Sequence, residues 1–257
     1  FLFGNSPRIS LVSRPDLATA SEVYSSDSVL LGRFFIEDRS PVTYDEIPQV
    51  VIDALLAAED IRFFKHGGVE LRTPITVGWS FIKGEKRGGS TITQQLAKNL
   101  FKTRYGSSQG LFGYIPGVRT VIFKTKEWIT ALKLELLYSK KEILCMYLNT
   151  VNFGNNAYGL KIACRTYFSI KPRELTPDQA ALLIGILKAP TYYSPTQNPK
   201  NAINRRNVVL GQMEKYGFLT KQEFKKYSRK PLSLDFNIES PSDGLAPYFR
   251  TALAAYL

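Results

Sequence analysis

Histidine and cysteine are nearly missing from this chain: one His, at position 66, and two Cys, at 145 and 164, among 257 residues. The cysteines show no CxxC spacing, so a zinc site or a paired redox motif has too few ligands to build from. Both sit in apolar, helical-looking stretches and read as buried free thiols. Long apolar runs are lacking as well. The longest uncharged window near the middle, 105–118, is 14 residues long and carries four glycines and Pro116. A membrane-spanning helix needs about 20 predominantly apolar residues without such breaks, so any anchor is expected outside this sequence. The chain opens on Phe1 rather than Met and closes on the apolar stretch 252–257, as expected of a piece of a longer protein. Acidic charge is in short supply too, with 22 Asp and Glu against 34 Lys and Arg. No internal repeat is visible.

What remains is apolar and basic. At 44% hydrophobic the chain can bury one large core or two unequal ones, which argues against disorder. The net charge of +12 is uneven, because residues 98–141 hold nine Lys and Arg against only Glu127 and Glu135. Such a cluster is most often a solvated face. Here it is interleaved with Phe101, Tyr105, Leu111, Phe112, Tyr114, Ile115 and Val121, which suits an anionic membrane surface better than a duplex groove. Charge alone would also allow nucleic acid.

The pattern predicts two strands, 21–24 and 29–37, joined by a turn at 25–28, and then mostly helix. Pro48 suits the first position of a helix over 48–60. Ser90, after a Gly-Gly pair, suits the N-cap of a helix from 91 to about 101. A long helix, with room for a break, follows from about 120 to 149. Thr176 and Thr220 open capping boxes, Asn198-Pro199 opens another helix, and Gly217 closes it. The stretch 228–247, with prolines at 231, 241 and 247, reads as extended linker.

Two glutamates stand out. Glu59 follows Leu55 by four residues, about 40° round the helix, so it borders the apolar side. Desolvation there would raise its pKa, which suits a general base working near neutrality. A lone glutamate at a helix end is ordinarily solvated and idle. Here Asp60, Phe63, His66 and Gly68 follow closely, and His66 reads as a structural hydrogen bonder rather than a proton carrier. Glu127 lies three residues after Lys124, on one helix face, either as a plain surface ion pair or with the lysine free to grip a phosphate. Between the two glutamates, Thr91, Gln94, Gln95 and Lys98 form a polar stripe opposite Ile92, Leu96 and Leu100. Hydroxyls and amides at those spacings are the groups that bond sugar hydroxyls and N-acetyl amides.

Together these segments resemble the family 51 peptidoglycan glycosyltransferases, the module of class A penicillin-binding proteins and of monofunctional transglycosylases. The resemblance covers residues 44–225 and rests on several motifs in order. The first is Glu59-Asp60-x-x-Phe63-x-x-His66-x-Gly68, and the second runs from Gly89-Ser90-Thr91 through Gln94-Gln95 to Lys98-Asn99. The third is Lys124-x-x-Glu127-x-x-x-Ala131. The fourth is Lys140-x-x-Ile143-Leu144-x-x-Tyr147-Leu148-Asn149 with Gly154, and Arg205-Arg206-Asn207 completes the set. One position departs: Phe123 stands where the family usually has Arg. Glu135 matches a frequent family glutamate but is given no catalytic role.

The resemblance implies a mainly α fold, with a lysozyme-like helical lobe, a smaller membrane-associated jaw over about 70–120, and a short N-terminal β-hairpin within 1–43. Residues 226–257 would lead toward a D,D-transpeptidase domain outside this sequence. The implied reaction polymerises lipid II into β-1,4 glycan with inversion, releasing undecaprenyl pyrophosphate. Glu59 and Glu127 would be catalytic. Asp60, Ser90, Thr91, Gln94, Gln95, Lys98, Asn99, Arg119, Lys124, Lys140 and Asn149 would bind substrate, and Phe63, His66 and Gly68 would be structural. No cofactor is required, although a magnesium or manganese ion near Glu127 could assist the pyrophosphate. The implied partners are lipid II, the growing glycan, an anionic membrane surface and other cell-wall synthesis proteins, and not nucleic acid. The implied location is the outer, periplasmic face of a bacterial cytoplasmic membrane. A lytic, glycan-cleaving enzyme using the same two carboxylates is the rival reading. It has no need of the basic cluster or of an apolar jaw.

Overall fold

The computed structural model describes residues 9–12, 21–34, 38–70, 89–101 and 118–237, with 248, 249 and 252. Strands β1 (Ser21–Tyr24) and β2 (Leu30–Phe34) pair antiparallel, with Ser21 opposite Phe34, so the expected hairpin is present. A second, minimal sheet joins β3 (Asp38–Arg39) in parallel to β4 (Ala157–Tyr158), which ties the N-terminal segment to the middle of the chain.

The rest of the described structure is mainly helical. Helix α1 (Gln49–Glu59) starts one residue later than expected, because Pro48 takes an extended conformation and acts as N-cap. It buries Val51, Ile52, Ala54, Leu55, Leu56 and Ala57, and ends where Asp60 leaves helical geometry at φ −158° and ψ 76°. Helix α2 (Ile92–Phe101) is capped by Thr91 rather than by Ser90: the Thr91 carbonyl accepts the Gln95 amide at 3.0 Å and its hydroxyl accepts the Gln94 amide at 3.2 Å. Helices α3 (Val118–Leu137) and α4 (Lys140–Thr150) occupy the span of the long helix, which is broken between them. The break has a local cause. Ser139 turns extended and forms a capping box with Glu142, whose carboxylate accepts the Ser139 amide at 2.7 Å. Helices α5 (Leu160–Phe168), α6 (Pro177–Ile186), α7 (Pro199–Lys215) and α8 (Lys221–Ser228) follow, with the expected boxes at Thr176 and Thr220.

Helix α6 is buried along nearly its whole length, and it packs against α7 and α1. Helix α2 packs against α3 and α4. One continuous apolar core joins the two groups through residues such as Leu55, Phe63, Leu96, Leu134, Leu148 and Leu183, each fully buried. At roughly 1.5–3 kcal/mol per buried large aliphatic or aromatic side chain, this core is the main term holding the helices together. The two thiols are free, Cys164 fully buried and Cys145 partly so.

The segment after α8 departs from the linker reading over its first nine residues. The Arg206 guanidinium, 2% exposed, donates to the carbonyls of Ser228 and Lys230 at 3.2 and 2.8 Å. Further on, the Asp235 and Asn237 amides donate to Tyr167 and Thr166 carbonyls at 3.1 and 2.8 Å, and Phe236 packs on the Tyr167 ring. Residues 229–237 therefore lie along the helical lobe as part of it. The jaw expected over about 70–120 falls largely on 71–88 and 102–117, outside the described residues, together with Leu111, Phe112 and Ile115. Among the described residues no helix is long and apolar enough to cross a membrane.

Candidate active site

The last residue of α1 supplies the first carboxylate. Glu59 is half-buried, and its Oε2 accepts from Gln95 Nε2 of α2 at 2.8 Å. The Gln95 Oε1 in turn accepts from the Tyr147 hydroxyl of α4 at 3.0 Å. Burial raises the Glu59 pKa above the usual carboxylate value. The Gln95 bond opposes that shift, as do the positive charges of Arg205 and Lys188, while the neighbouring Asp60 charge adds to it. A glutamate bonded to a neutral amide and set in a desolvated environment holds a proton more readily than a solvated one.

Asp60, the next residue, ties the start of α2 to the His66 turn. Its Oδ2 accepts the Ile92 amide at the start of α2 at 3.1 Å and the His66 Nε2 proton at 2.9 Å. His66 Nδ1 accepts the Gly68 amide at 3.1 Å, which fixes the neutral tautomer with its proton on Nε2. Phe63 is fully buried and meets His66 edge-on, with ring centroids 6.1 Å apart. Gly68 sits at φ +86°, and a Cβ there would lie 2.8 Å from Glu135 Cγ and 3.0 Å from the Ala131 carbonyl oxygen. Glycine is required there for both conformation and space.

The second carboxylate lies on α3. Glu127 is 1% exposed and pairs with Lys124 Nζ at 2.8 Å. The same ammonium donates to Ser90 Oγ at 2.8 Å, just ahead of α2. Helix α2 thus holds both halves of the site near its start: Ser90 precedes its cap, and Gln95 lies about one turn, ~6 Å, beyond Thr91. Arg119 is exposed, its guanidinium 5.3 Å from the centre of the Phe123 ring.

The structure gives several expected substrate contacts other occupations. Thr91 caps α2 and donates its hydroxyl proton to the Gly68 carbonyl at 2.5 Å, and Gln94 is 3% exposed, so the expected open polar stripe is largely covered. Lys140 donates to the His66 carbonyl at 2.6 Å and to Glu135 at 2.8 Å, and its ammonium lies 4.3 Å from the Phe63 ring centre. Asn149 clamps the backbone of Val42, accepting its amide at 2.8 Å and donating to its carbonyl at 2.9 Å. Lys98 is exposed and Asn99 half-buried. Glu135, passed over in the sequence, joins α2, α3 and α4 by accepting from Thr93 at 2.6 Å and from Lys140 at 2.8 Å. Tyr147 and Arg205 were quoted in motifs without a role. A buried tyrosine poses the question of what its hydroxyl bonds to, but the answer, Gln95, lies 52 positions away in the chain.

Among the described residues no three His, Cys, Asp or Glu side chains come together as a metal-ligand group, and Glu127 is already paired with a lysine. A lone carboxylate already neutralised by a lysine is a poor cation ligand.

A family model described as transglycosylase matches residues 27–214. The chain belongs to the transglycosylase family. Among similar proteins is penicillin-binding protein 1A of Aquifex aeolicus, 37% identical over 238 residues, which are 91% of this chain and 31% of that protein. Penicillin-binding protein 1A of Pseudomonas aeruginosa is 32% identical over 96% of this chain and 29% of its own length. Penicillin-binding protein 1F of Bacillus subtilis is 35% identical over 90% of the chain and 31% of its length. This transglycosylase chain therefore spans under a third of each of these three relatives.

Proposed function

We propose that this transglycosylase domain polymerises lipid II into peptidoglycan strands with inversion at the anomeric carbon. The 4-hydroxyl of the acceptor N-acetylglucosamine attacks C1 of the donor N-acetylmuramyl unit from the face opposite its pyrophosphate. The C1–oxygen bond breaks, and its electron pair leaves with undecaprenyl pyrophosphate. The hydroxyl proton passes to Glu59. An α-linked donor gives a β-1,4 product in one displacement, with no covalent enzyme intermediate.

The observation that carries this reading is the pairing of unlike groups around the start of α2. Glu59 is a desolvated carboxylate held by a neutral amide donor, as a general base requires. Lys124 has two of its three protons committed, to Glu127 and Ser90, while its side chain stays 34% exposed. Its third proton is available to an oxygen of the departing pyrophosphate, where a fixed cation stabilises developing charge. Glu127 orients that lysine. Arg119 adds a second, exposed cation on the same helix, whereas Lys140 is occupied by Glu135 and His66. The work is placed on the outer face of a bacterial cytoplasmic membrane, beside anionic lipid, with the growing glycan as donor.

The test is incubation with labelled lipid II in detergent, followed by separation of polymer from monomer. Growth of long glycan with release of the lipid pyrophosphate is expected. Unchanged monomer would overturn the reading, and shortening of preformed glycan would point to cleavage instead.

A further inference from the structure

We propose that Tyr147 is a positioning residue for the reaction: its buried hydroxyl holds the Gln95 amide in the one orientation that presents Nε2 to Glu59. The proposal rests on the reading of Glu59 as the base. A glutamine side chain ends in an acceptor and a donor of nearly the same shape, so its outline does not select a direction. The carboxylate only accepts. Turned about, Gln95 would set Oε1 against Glu59 Oε2 and replace a 2.8 Å hydrogen bond with lone-pair repulsion. Tyr147 supplies what the correct orientation needs at the other end, an O–H donor 3.0 Å from Oε1, on a side chain 1% exposed. Burial and the nearby Glu59 charge both make that phenol harder to ionise, so the proton stays on the hydroxyl.

The backbone end of Gln95 is fixed independently. The Thr91 cap and the Asp60 bond to Ile92 set the start of α2. What Tyr147 controls is the rotation of the amide. The three groups come from α4, α2 and α1, so the packing of three helices sets the direction from which the base is held. With Oε2 held by Gln95, Oε1 of Glu59 would be the oxygen that takes the proton of the acceptor hydroxyl.

The decisive variant is Tyr147→Phe, which keeps the ring and removes the donor. In lipid II polymerisation kcat should fall about 10–100-fold while KM changes less than about twofold, because a misplaced base costs turnover rather than binding. The acid limb of the pH profile should move to higher pH, since a carboxylate that loses a donor is harder to ionise. Gln95→Ala should do the same, and adding Tyr147→Phe to it should cost nothing more, because Tyr147 acts only through Gln95. Losses that multiply in the double variant, or a rate loss with the acid limb unmoved, would overturn the proposal. A substrate-free measurement separates it from the functional reading: the titration of Glu59 followed by carbon-13 NMR in the wild-type protein and in Tyr147→Phe. A midpoint raised in the variant supports the positioning role even if lipid II is not turned over, and an unmoved midpoint refutes it. Failure of the wild-type protein to polymerise lipid II would remove the functional reading alone. Should Tyr147→Phe fold poorly, the same titration in Gln95→Ala decides, and there too an unmoved midpoint refutes the proposal.

Discussion

The two carboxylates at the start of α2 are both shielded by protein, yet they are held in opposite ways. Glu127 is 1% exposed and has a cation 2.8 Å away. Glu59 is held at the same 2.8 Å by a neutral amide, with positive charge acting from farther off through Arg205 and Lys188. A buried carboxylate matched by a lysine at contact distance is a fixed electrostatic element. A desolvated carboxylate offered only a neutral donor has its proton affinity raised, and so it can exchange a proton during the reaction. On the proposed function, the type of partner, more than burial itself, would separate the reacting group from the group that orients its neighbour.

The largest effect expected from breaking this contrast is at Glu59. Glu59→Gln retains size and hydrogen bonding but cannot take the proton, so polymerisation should fall about 10²–10⁴-fold with lipid II binding retained. A variant keeping more than half the wild-type rate would remove Glu59 from the role of base. On the other side, Lys124→Ala should lower kcat about 10²-fold by withdrawing a cation from the leaving group. Its control must be chosen with care. Lys126 points elsewhere on α3 but is only 5% exposed, so it does not represent a solvated lysine. Exposed Lys141, lying over the Tyr44 ring, is the better comparison, and equal losses at Lys124 and Lys141 would reduce the cluster to a charged surface.

The scaffold beneath both carboxylates should respond in stability. Gly68→Ala forces a Cβ to 2.8 Å from Glu135 and 3.0 Å from the Ala131 carbonyl at a positive φ. A loss of about 1–3 kcal/mol in urea unfolding is expected. Asn149→Ala releases both bonds to Val42 and should cost about 1–3 kcal/mol while moving kcat less than Lys124→Ala does. If Asn149→Ala instead raised KM with stability unchanged, the side chain would be a substrate contact after all.

The smallest effect is the pH dependence of stability, and its sign sharpens the contrast. The folded-state pKa of Glu59 is raised above the ordinary glutamate value, chiefly by burial. The folded chain therefore binds this proton more tightly than the unfolded chain, and the contribution is fully present below the unfolded pKa. It is lost as pH rises from the unfolded value through the folded one. Glu59→Gln should thus become more stable relative to wild type on going from acidic to neutral pH, in paired denaturation curves. A difference that does not change with pH would mean that Glu59 is not desolvated. In activity, with Glu59 as the base of the proposed reaction, the same shift should place the acid limb above the range of a solvated glutamate.

Much of this was legible before the structure. The boxes at Thr176 and Thr220 depend on residues three apart in sequence, so α6 and α8 began where local chemistry put them. The pairing of Lys124 with Glu127 followed from helical spacing, and the structural reading of His66 followed from its motif. The break at Ser139 was also written locally, as a capping box with Glu142, and the sequence reading left room for it without placing it. The occupations of Asn149 and Lys140 could not be read in the same way. Asn149 meets a backbone 107 positions away, and Lys140 meets a carbonyl 74 positions away. Polar residues in a motif look alike on paper whether they face a sugar or a neighbouring loop.

By itself the sequence determined most of the helices, the caps at Thr176 and Thr220, the uneven positive charge and the order of the motifs, because each depends on neighbours within a turn or two or on composition. The tertiary structure decided which polar residues remain available. Only packing brought Gln95 to Glu59 and Tyr147 to Gln95, occupied Asp60 with α2 and Asn149 with Val42, and laid 229–237 along the lobe. Hydrogen-bond partners far apart in the chain are set by how helices meet, and burial by the whole core, so neither is encoded in any short stretch of residues.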